Sequence, residues 1–281
     1  MKAFLGMGLL GSNFVRAMLK TGEQVQVWNR TYSKAKEMEQ LGAKAFDDAA
    51  DAVKGADRVH LTLKDDASVN EVLQSAHTGL MPGAVIIDHT TTSKEGAIAR
   101  TKEWKEKGFF YQHAPVFMGP ANALESTGFM MVSGDEEMIS KLEPELSKMT
   151  GKLLQFGEEP GRAASIKLIG NAFLVCFTAG IRDTLSLAKA LQLPLDDVFS
   201  LFDVWNPATA LQQRLKRMTS GDYTQTSWAL QMARKDTGLF IRETEGKTDL
   251  ALIPSIATLM DEWIEKGYGN HDWTVIAKDS F

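Results

Sequence analysis

Three glycines near the start of the chain have the spacing of a phosphate-binding turn. The segment Gly6-Met7-Gly8-Leu9-Leu10-Gly11 follows a short apolar run and precedes residues with apolar side chains at helical spacing. In such a turn the first glycine permits the tight bend, the second lets the backbone approach a pyrophosphate, and the third lets helix and strand pack closely. The free N–H groups of the following helix attract the anion. The segment therefore predicts a dinucleotide-binding loop.

The end of the second apolar run indicates which dinucleotide binds. A carboxylate at this place would bind the 2′-hydroxyl of NAD and repel a 2′-phosphate, but the residues are Asn29, Arg30 and Thr31. A guanidinium and a hydroxyl suit a phosphate, so the sequence predicts NADP(H). The alternative is that Arg30 is a solvated loop residue.

Lys167 stands out because it precedes a long apolar helix and has no acidic neighbour along the chain. Asn171 follows four residues later and shares its helix face. Burial of an ammonium lowers its pKa from about 10.4 towards neutrality, which lets it exchange a proton with a substrate oxygen. The alternative is a lysine that reaches out to solvent from the helix start.

The elements around these residues predict two domains. Short β-rich runs alternate with helical patterns up to Gly161, which predicts a parallel sheet covered by helices in residues 1–161. Residues 162–281 show helical patterns, broken near Pro194, Asn206-Pro207, Gly221-Asp222 and Gly267–Asn270. We therefore expect an α/β domain with a doubly wound sheet, followed by an all-α domain. The strand candidates are Phe4-Leu5, Val25–Trp28, Val59–Leu63, Ala84–Ile87, Met130–Gly134 and Lys152–Phe156.

The apolar stretch Leu168–Ile181 has about 14 residues, fewer than the roughly 18 that suggest a membrane span. It is expected to form a buried helix, in which Cys176 is an inert core thiol. The single cysteine excludes an internal disulfide and favours a cytoplasmic location. The net charge of −5, without a block of like charge, makes nucleic acid an unexpected partner. No membrane partner is expected either.

Six segments occur in the order and spacing of the β-hydroxyacid dehydrogenases, and the sequence resembles that family, including 3-hydroxyisobutyrate dehydrogenase and the glyoxylate/succinic semialdehyde reductases. The resemblance covers nearly the whole chain. It implies an N-terminal Rossmann domain, an all-helical C-terminal domain, and hydride transfer between NAD(P) and a hydroxy or oxo acid in the cleft. The segments are Gly6–Gly11, Asn29–Thr31, Asp88–Thr91, His113–Val116, Gly161 with Lys167 and Asn171, and Lys235-Asp236.

The resemblance also implies roles for single residues. Lys167 protonates the alkoxide that forms when hydride reaches the carbonyl carbon, and Asn171 positions the substrate or the lysine. Gly161 lets the helix start approach the cofactor. Further cofactor-binding residues are Leu63, Thr90, Thr91 and Lys235. As alternatives, Asp88 is a turn cap, His89 a solvated loop residue and Lys235 a surface lysine.

The substrate segment departs from the family pattern. His113 replaces an acid, and Phe117-Met118-Gly119 replaces the Ser-Gly-Gly that cradles a substrate carboxylate. Ala163 and Gly170 also stand where the family has a glycine and an asparagine. Phe117 and Met118 predict a more apolar pocket that suits a neutral or hydrophobic carbonyl, and Pro115, Val116 and Gly119 are expected to contact the substrate beside them. Three further apolar residues either line that pocket or, as helical spacing favours, belong to the core: Trp205, Trp228 and Met232.

The sequence thus predicts an NADPH-dependent oxidoreductase that transfers hydride between the nicotinamide and a carbonyl or hydroxy substrate, such as an aldehyde, a ketone or a 2-oxo or semialdehyde acid. It is expected to be a homodimer or tetramer. An imine reductase is the competing enzyme, although the retained Lys167 favours carbonyl chemistry. A dinucleotide-binding sensor without turnover is the alternative from another class, and a decarboxylase like 6-phosphogluconate dehydrogenase has little support. The histidines His60, His77 and His271 lack ligand spacing, so no metal site is predicted.

Overall fold

A computed structural model describes residues 1–280. They form two compact units, residues 1–171 and residues 172–280. The first unit contains a six-stranded parallel sheet in the order β3-β2-β1-β4-β5-β6. Its order reverses next to β1, which is where doubly wound sheets bind ligands. The strands are β1 (Lys2–Leu5), β2 (Val25–Trp28), β3 (Lys44–Phe46), β4 (Arg58–Leu61), β5 (Val85–Asp88) and β6 (Phe110–His113).

Helices cover this sheet, and a smaller three-stranded sheet completes the unit. In the small sheet β7 pairs antiparallel with β8, and β8 pairs parallel with β9. Its strands are β7 (Val116–Phe117), β8 (Phe129–Val132) and β9 (Lys152–Gln155). The helices are α1 (Leu9–Lys20), α2 (Tyr32–Lys36), α3 (Ala49–Val53), α4 (Asp66–Ala76), α5 (Lys94–Glu106), α6 (Pro120–Glu125) and α7 (Glu136–Leu146).

The central strands are buried on both faces because helices pack on both sides of the sheet. In β5, Val85 and Ile87 join one hydrophobic cluster with Phe14, whereas Ile86 joins the other with Trp104. This alternation follows the two-residue period of a strand. The continuous apolar run of β5 in the sequence is the expected mark of such a strand. The predicted doubly wound α/β fold is confirmed.

The second unit is helical. The long helix α8 (Arg162–Ala190) begins in the first unit and continues into the second, where α9 (Leu195–Val204), α10 (Leu211–Ser220), α11 (Leu230–Thr244) and α12 (Ile253–Trp263) follow. A small core of Tyr223, Leu230, Met260, Trp263 and Val275 joins the last helices. The helix breaks lie where Pro194, Asn206-Pro207, Gly221 and Gly267 predict them.

The prediction that the apolar helix, here α8, is buried is wrong for a single chain. α8 has 29 residues, and only 6% of its most apolar 18-residue window is buried. Phe173, Val175 and Phe177 are at least half exposed, and Cys176 is an exposed thiol rather than a core thiol. The helix is long and apolar enough to cross a membrane by length and composition only, which is weak support for a membrane span.

Candidate active site

The glycine loop between β1 and α1 needs glycine at two places for steric reasons. Gly6 has a φ of +103°, and a Cβ there would lie 2.2 Å from the carbonyl oxygen of Thr62. A Cβ on Gly11 would lie 1.9 Å from the carbonyl oxygen of Gly6. By contrast, no atom lies within 4 Å of a Cβ built on Gly8, so its outer side is open to a ligand. The loop thus combines tight packing inside with backbone access outside, at the start of α1.

A cavity of about 520 Å³ opens beside this loop, within the size range of ligand pockets. It brings together most of the predicted cofactor residues of the first unit, whereas Met7 is buried behind the loop. Two lysines that sequence analysis missed, Lys34 and Lys64, also line it, together with the acidic Glu71. Lys34 lies one helical turn after Arg30 and Thr31, and this spacing could have indicated that it faces the same cavity. The predicted residues on its wall are Gly6, Gly8, Leu9, Leu10, Asn29, Arg30, Thr31 and Leu63.

The residues after β2 divide into a structural group and an exposed group. The Asn29 side chain accepts a hydrogen bond from the Met7 N–H at 2.9 Å and donates one to the Thr31 carbonyl at 2.9 Å. It therefore holds the glycine loop in place. Arg30 and Thr31 are exposed on the cavity wall, and within residues 1–280 the Arg30 guanidinium forms no ion pair.

The segment after β5 is locked by its own side chains. Asp88 is fully buried and accepts a hydrogen bond from the Thr90 N–H at 2.8 Å, so it does cap the turn. The Thr90 hydroxyl accepts a hydrogen bond from the Leu63 N–H at 2.9 Å, which ties the ends of β5 and β4 together. Thr91 is exposed next to this tie. Of the pair, Thr91 is thus the residue whose side chain is free to meet a ligand.

The solvated-loop alternative for His89 is wrong, because this side chain is buried in a chain of hydrogen bonds. Its Nδ1 lies 2.9 Å from the Ala114 carbonyl oxygen, and its Nε2 lies 3.0 Å from Nδ1 of His60. His60 Nε2 in turn lies 3.2 Å from Oε1 of Glu145. Burial lowers the pKa of His89 to about 3, so the ring is neutral. Sequence spacing gave no signal for this set, because its members come from distant segments.

Lys167 lies on the first turns of α8 and is only 8% exposed. Within residues 1–280 its ammonium forms no ion pair. It lies over the face of the Phe117 ring, with Nζ 4.0 Å from the ring centroid. Burial lowers the pKa of Lys167 to about 8. The alternative of a lysine that reaches out to solvent is therefore wrong. Asn171, one turn further along, is half-buried.

The segment Pro115–Gly119 runs through β7 to the start of α6. The Pro115 carbonyl accepts a hydrogen bond from the Met131 N–H at 2.9 Å, which fixes the segment to β8. Val116 is buried, whereas Phe117 and Met118 are half-buried. The Gly119 N–H, which the family pattern assigns to a carboxylate, donates instead to Oδ1 of Asn122 at 2.9 Å.

The start of α8 is fixed against α5. Gly161 has a φ of +85°, and a Cβ there would lie 2.9 Å from both the Lys94 carbonyl oxygen and a side-chain carbon of Ile98. Only glycine combines this backbone with this contact. Gly161 thus places the turn of α8 that carries Lys167.

The second unit carries the remaining candidates. Lys235 lies on α11, where its Nζ is 3.0 Å from Oδ1 of Asp236. Trp205, Trp228 and Met232 are 54%, 39% and 44% exposed, so the interpretation of these side chains as core residues is wrong for this chain.

The sheet order, the glycine loop and its cavity define the first unit as a dinucleotide-binding domain. Residues 2–157, more than half of the chain, match the model of the NAD-binding domain of 6-phosphogluconate dehydrogenase. The chain therefore belongs to this family, and within it to the β-hydroxyacid dehydrogenases, as the resemblance predicted. It is a dinucleotide-dependent oxidoreductase.

Relatives match over the whole chain. The 3-sulfolactaldehyde reductase of Escherichia coli is 24% identical, over 98% of this chain and 93% of its own. The NAD-dependent L-serine dehydrogenase of Pseudomonas aeruginosa is 27% identical, over 98% and 96%. Glyoxylate/succinic semialdehyde reductase 2 of Arabidopsis thaliana is 27% identical, over 96% and 75%. Among solved structures, an imine reductase from Myxococcus stipitatus in complex with NADP+ shares the fold, with a TM-score of 0.92, 20% identity and full coverage of both chains.

Proposed function

We propose that the protein is an NADPH-dependent reductase in which Lys167 is the proton donor. The observation that carries the proposal is a buried ammonium with no carboxylate partner in residues 1–280 and a pKa lowered to about 8. A bound nicotinamide would supply hydride to the carbonyl carbon of the substrate, and the Lys167 ammonium would give its proton to the oxygen that becomes an alkoxide. In the reverse direction the neutral amine removes the proton from the alcohol.

The remaining site residues take binding roles in this proposal. Asn171 orients the substrate oxygen or the lysine from the next turn of α8. Phe117 and Met118, with Pro115, Val116 and Gly119, form the wall against the substrate. Because the Gly119 N–H is already bonded to Asn122, a substrate carboxylate loses that donor, which favours a neutral carbonyl. Lys235 stays a prediction that rests on the resemblance.

For the cofactor we propose NADP(H) over NAD(H). Support comes from the exposed Arg30 and Thr31, from Lys34 on the same cavity wall, and from the lack of an acid at the end of β2. Arg30→Ala should lower kcat/KM for NADPH by about 10- to 100-fold and leave that for NADH within about three-fold. Lys20→Ala, a surface lysine outside the cavity, is the control. A wild type that uses NADH as well as NADPH would contradict this preference.

The catalytic proposal is tested by NADPH oxidation with glyoxylate, succinic semialdehyde, neutral aldehydes, ketones and cyclic imines. Lys167→Ala should lose about 10²- to 10⁴-fold in kcat/KM for carbonyls, while NADPH binding persists. Lys107→Ala is the matched control, because Lys107, directly after α5, also lies over an aromatic ring, with Nζ 4.5 Å from the Trp104 centroid. Carbonyl turnover that survives in Lys167→Ala would contradict the assignment.

Imine reduction is the second candidate, and the apolar Phe117 and Met118 in place of a carboxylate cradle favour it. An imine that is protonated in solution binds as an iminium and needs no proton from the enzyme, so turnover of imines that is indifferent to Lys167→Ala would support this alternative. Tight NADPH binding with no turnover of any substrate would instead support the dinucleotide sensor.

We further propose that the protein is a homo-oligomer, a dimer or tetramer, in the cytoplasm. Support comes from the exposed apolar surface of the second unit, in which Phe173 and Phe177 on α8 and Phe199 on α9 are all at least half exposed. Such a surface is rare on monomers. Phe177→Glu should shift the mass measured by light scattering towards one chain, whereas Glu262→Gln should not. A monomeric wild type that binds lipid vesicles would contradict the proposal.

A further inference from the structure

Gly170 lies three residues after Lys167 on α8, inside the helix, where glycine costs stability relative to alanine. Its neighbour explains the choice. A Cβ on Gly170 would lie 2.2 Å from Cζ of Phe117 and 3.0 Å from Cε1. The tip of the Phe117 ring therefore rests against the helix backbone, and it leaves no room for any side chain at position 170.

The same ring contacts the lysine. Residues three apart on a helix share a face, so a ring seated on Gly170 also meets residue 167. The Nζ of Lys167 lies 4.0 Å from the Phe117 centroid, well within the distance of a cation–π contact. One aromatic ring is thus held between the helix backbone and the ammonium.

No carboxylate competes for this ammonium in the described chain. The carboxylate of Glu159, just before α8, is already paired with Arg162 at 2.9 Å and with Lys94 at the start of α5 at 3.2 Å. Burial is the one cause of the lowered pKa of Lys167. The negative face of the ring is therefore the only group there that favours the charged form of the lysine.

We propose that Phe117 is a positioning residue for Lys167: its ring holds the ammonium in place through the cation–π contact, and the glycine at position 170 gives the ring its seat. The role of that ammonium in a reaction rests on the proposed function, but the contact itself does not. The ring thus occupies the position of a counter-ion but carries no net charge. It therefore holds the ammonium without raising its pKa as far as a carboxylate would, and the lysine can still give up a proton.

Two substitutions of Phe117 separate positioning from filling of space. Phe117→Leu keeps the site dry but removes the π face, so the pKa of Lys167 should fall further below 8, by about one pH unit. Phe117→Ser admits water, so the same pKa should rise towards 10.4. We would titrate the 13C-labelled lysine ε-carbons by NMR and assign Lys167 with Lys167→Met. Shifts in opposite directions support the proposal, and a pKa that is unmoved in Phe117→Leu overturns it.

The seat of the ring is tested separately. Gly170→Ala should displace the ring and lower the kcat/KM of the Lys167-dependent reaction by about 3- to 30-fold, the size of a cation–π contact. Gly180→Ala is the matched control on the same helix, because no atom lies within 4 Å of its added Cβ. In a Phe117→Leu background Gly170→Ala should cost little more, and full additivity of the two changes would overturn the proposal.

Failure of the two proposals can be told apart. If Lys167 titrates near pH 8 with the expected shifts but no substrate is turned over, the positioning of the lysine stands and the proposed reaction fails. If carbonyls are reduced through Lys167 while its pKa ignores Phe117, the reaction stands and the positioning role fails.

Discussion

Two buried cations of the first unit are held in opposite ways. Arg100 on α5 is 2% exposed and donates hydrogen bonds to Tyr111 Oη at 2.8 Å, to Asp66 Oδ1 at 2.8 Å and to Asn70 Oδ1 at 3.1 Å. Lys167 is 8% exposed, and within residues 1–280 its ammonium forms no ion pair and contacts the face of the Phe117 ring.

The difference teaches which cation serves the fold. A buried charge with its donors satisfied stabilises the native state only as a complete set, and removal of one member leaves the others unpaired. A buried charge without a carboxylate is costly, and the chain gains nothing in stability from it. Arg100 therefore belongs to the architecture that joins α4, α5 and the end of β5, and Lys167 to the chemistry.

The largest expected effect comes from Lys167→Met. Carbonyl reduction should fall by about 10²- to 10⁴-fold, because the proton donor is gone. The free energy of unfolding at pH 7 should nevertheless rise by about 1–2 kcal/mol, since the variant no longer buries a charge. Urea unfolding beside the kinetic assay checks both. A variant that is less stable than the wild type would show that Lys167 has a structural role as well.

Arg100→Met should produce the reverse pattern. We expect a loss of about 3–5 kcal/mol in the free energy of unfolding, because Asp88 and Asp66 lose their cation while Asp88 stays buried. Folded protein at low temperature should retain most of its catalytic rate. Lys102→Met, an exposed cation on the same helix, is the control. Equal stability of Arg100→Met and the wild type would contradict the structural assignment.

The sequence predicted those parts of the site that depend on local pattern. The glycine loop and the bounds of β2 follow from short-range spacing, and Lys167 stands out because its own neighbours are apolar. The Arg100 network could not be predicted in this way, since its partners Asp66 and Asn70 are 34 and 30 residues away. The exposure of α8 was misjudged because an apolar composition does not tell a face packed in the core from an exposed one.

Three strands were missed. β3 has three residues and β7 has two, which are too few for a periodic pattern. β6 carries Gln112 and His113, which are buried although polar: Gln112 Nε2 donates to the His113 carbonyl, and His113 Nε2 lies 2.8 Å from the Thr90 carbonyl oxygen. Long-range contacts decide such positions, so the family resemblance did not reveal them either.

Tyr111→Phe tests the Arg100 side of the comparison more gently. The phenol donates a hydrogen bond to Asp88 Oδ2 and accepts one from Arg100, and burial raises the pKa of Tyr111 well above its usual value. Loss of this one hydroxyl should cost about 1.5–3 kcal/mol in urea unfolding, as for other hydrogen bonds to charged groups. Tyr32→Phe, on the surface, is the control. An unchanged midpoint would show that Asp88 and Arg100 suffice without the phenol.

The smallest expected effect concerns the pH dependence of stability, which should depend on the buried His89 and not on Lys167. Burial lowers the pKa of His89 to about 3, whereas the unfolded chain has about 6.5. Between these values the unfolded state binds the extra proton, so this contribution to stability is present above pH 6.5 and is lost as the pH falls towards 3. For His89 the loss from pH 7.5 to pH 5.5 is about 1 kcal/mol, and burial lowers the pKa values of His60 and His113 in the same direction. His89→Phe should flatten the dependence over that range, while Lys167→Met should leave it nearly unchanged, because a folded lysine with a pKa of about 8 is mostly charged there, as it is in the unfolded chain. An equal flattening in both variants would show that the two buried regions are coupled.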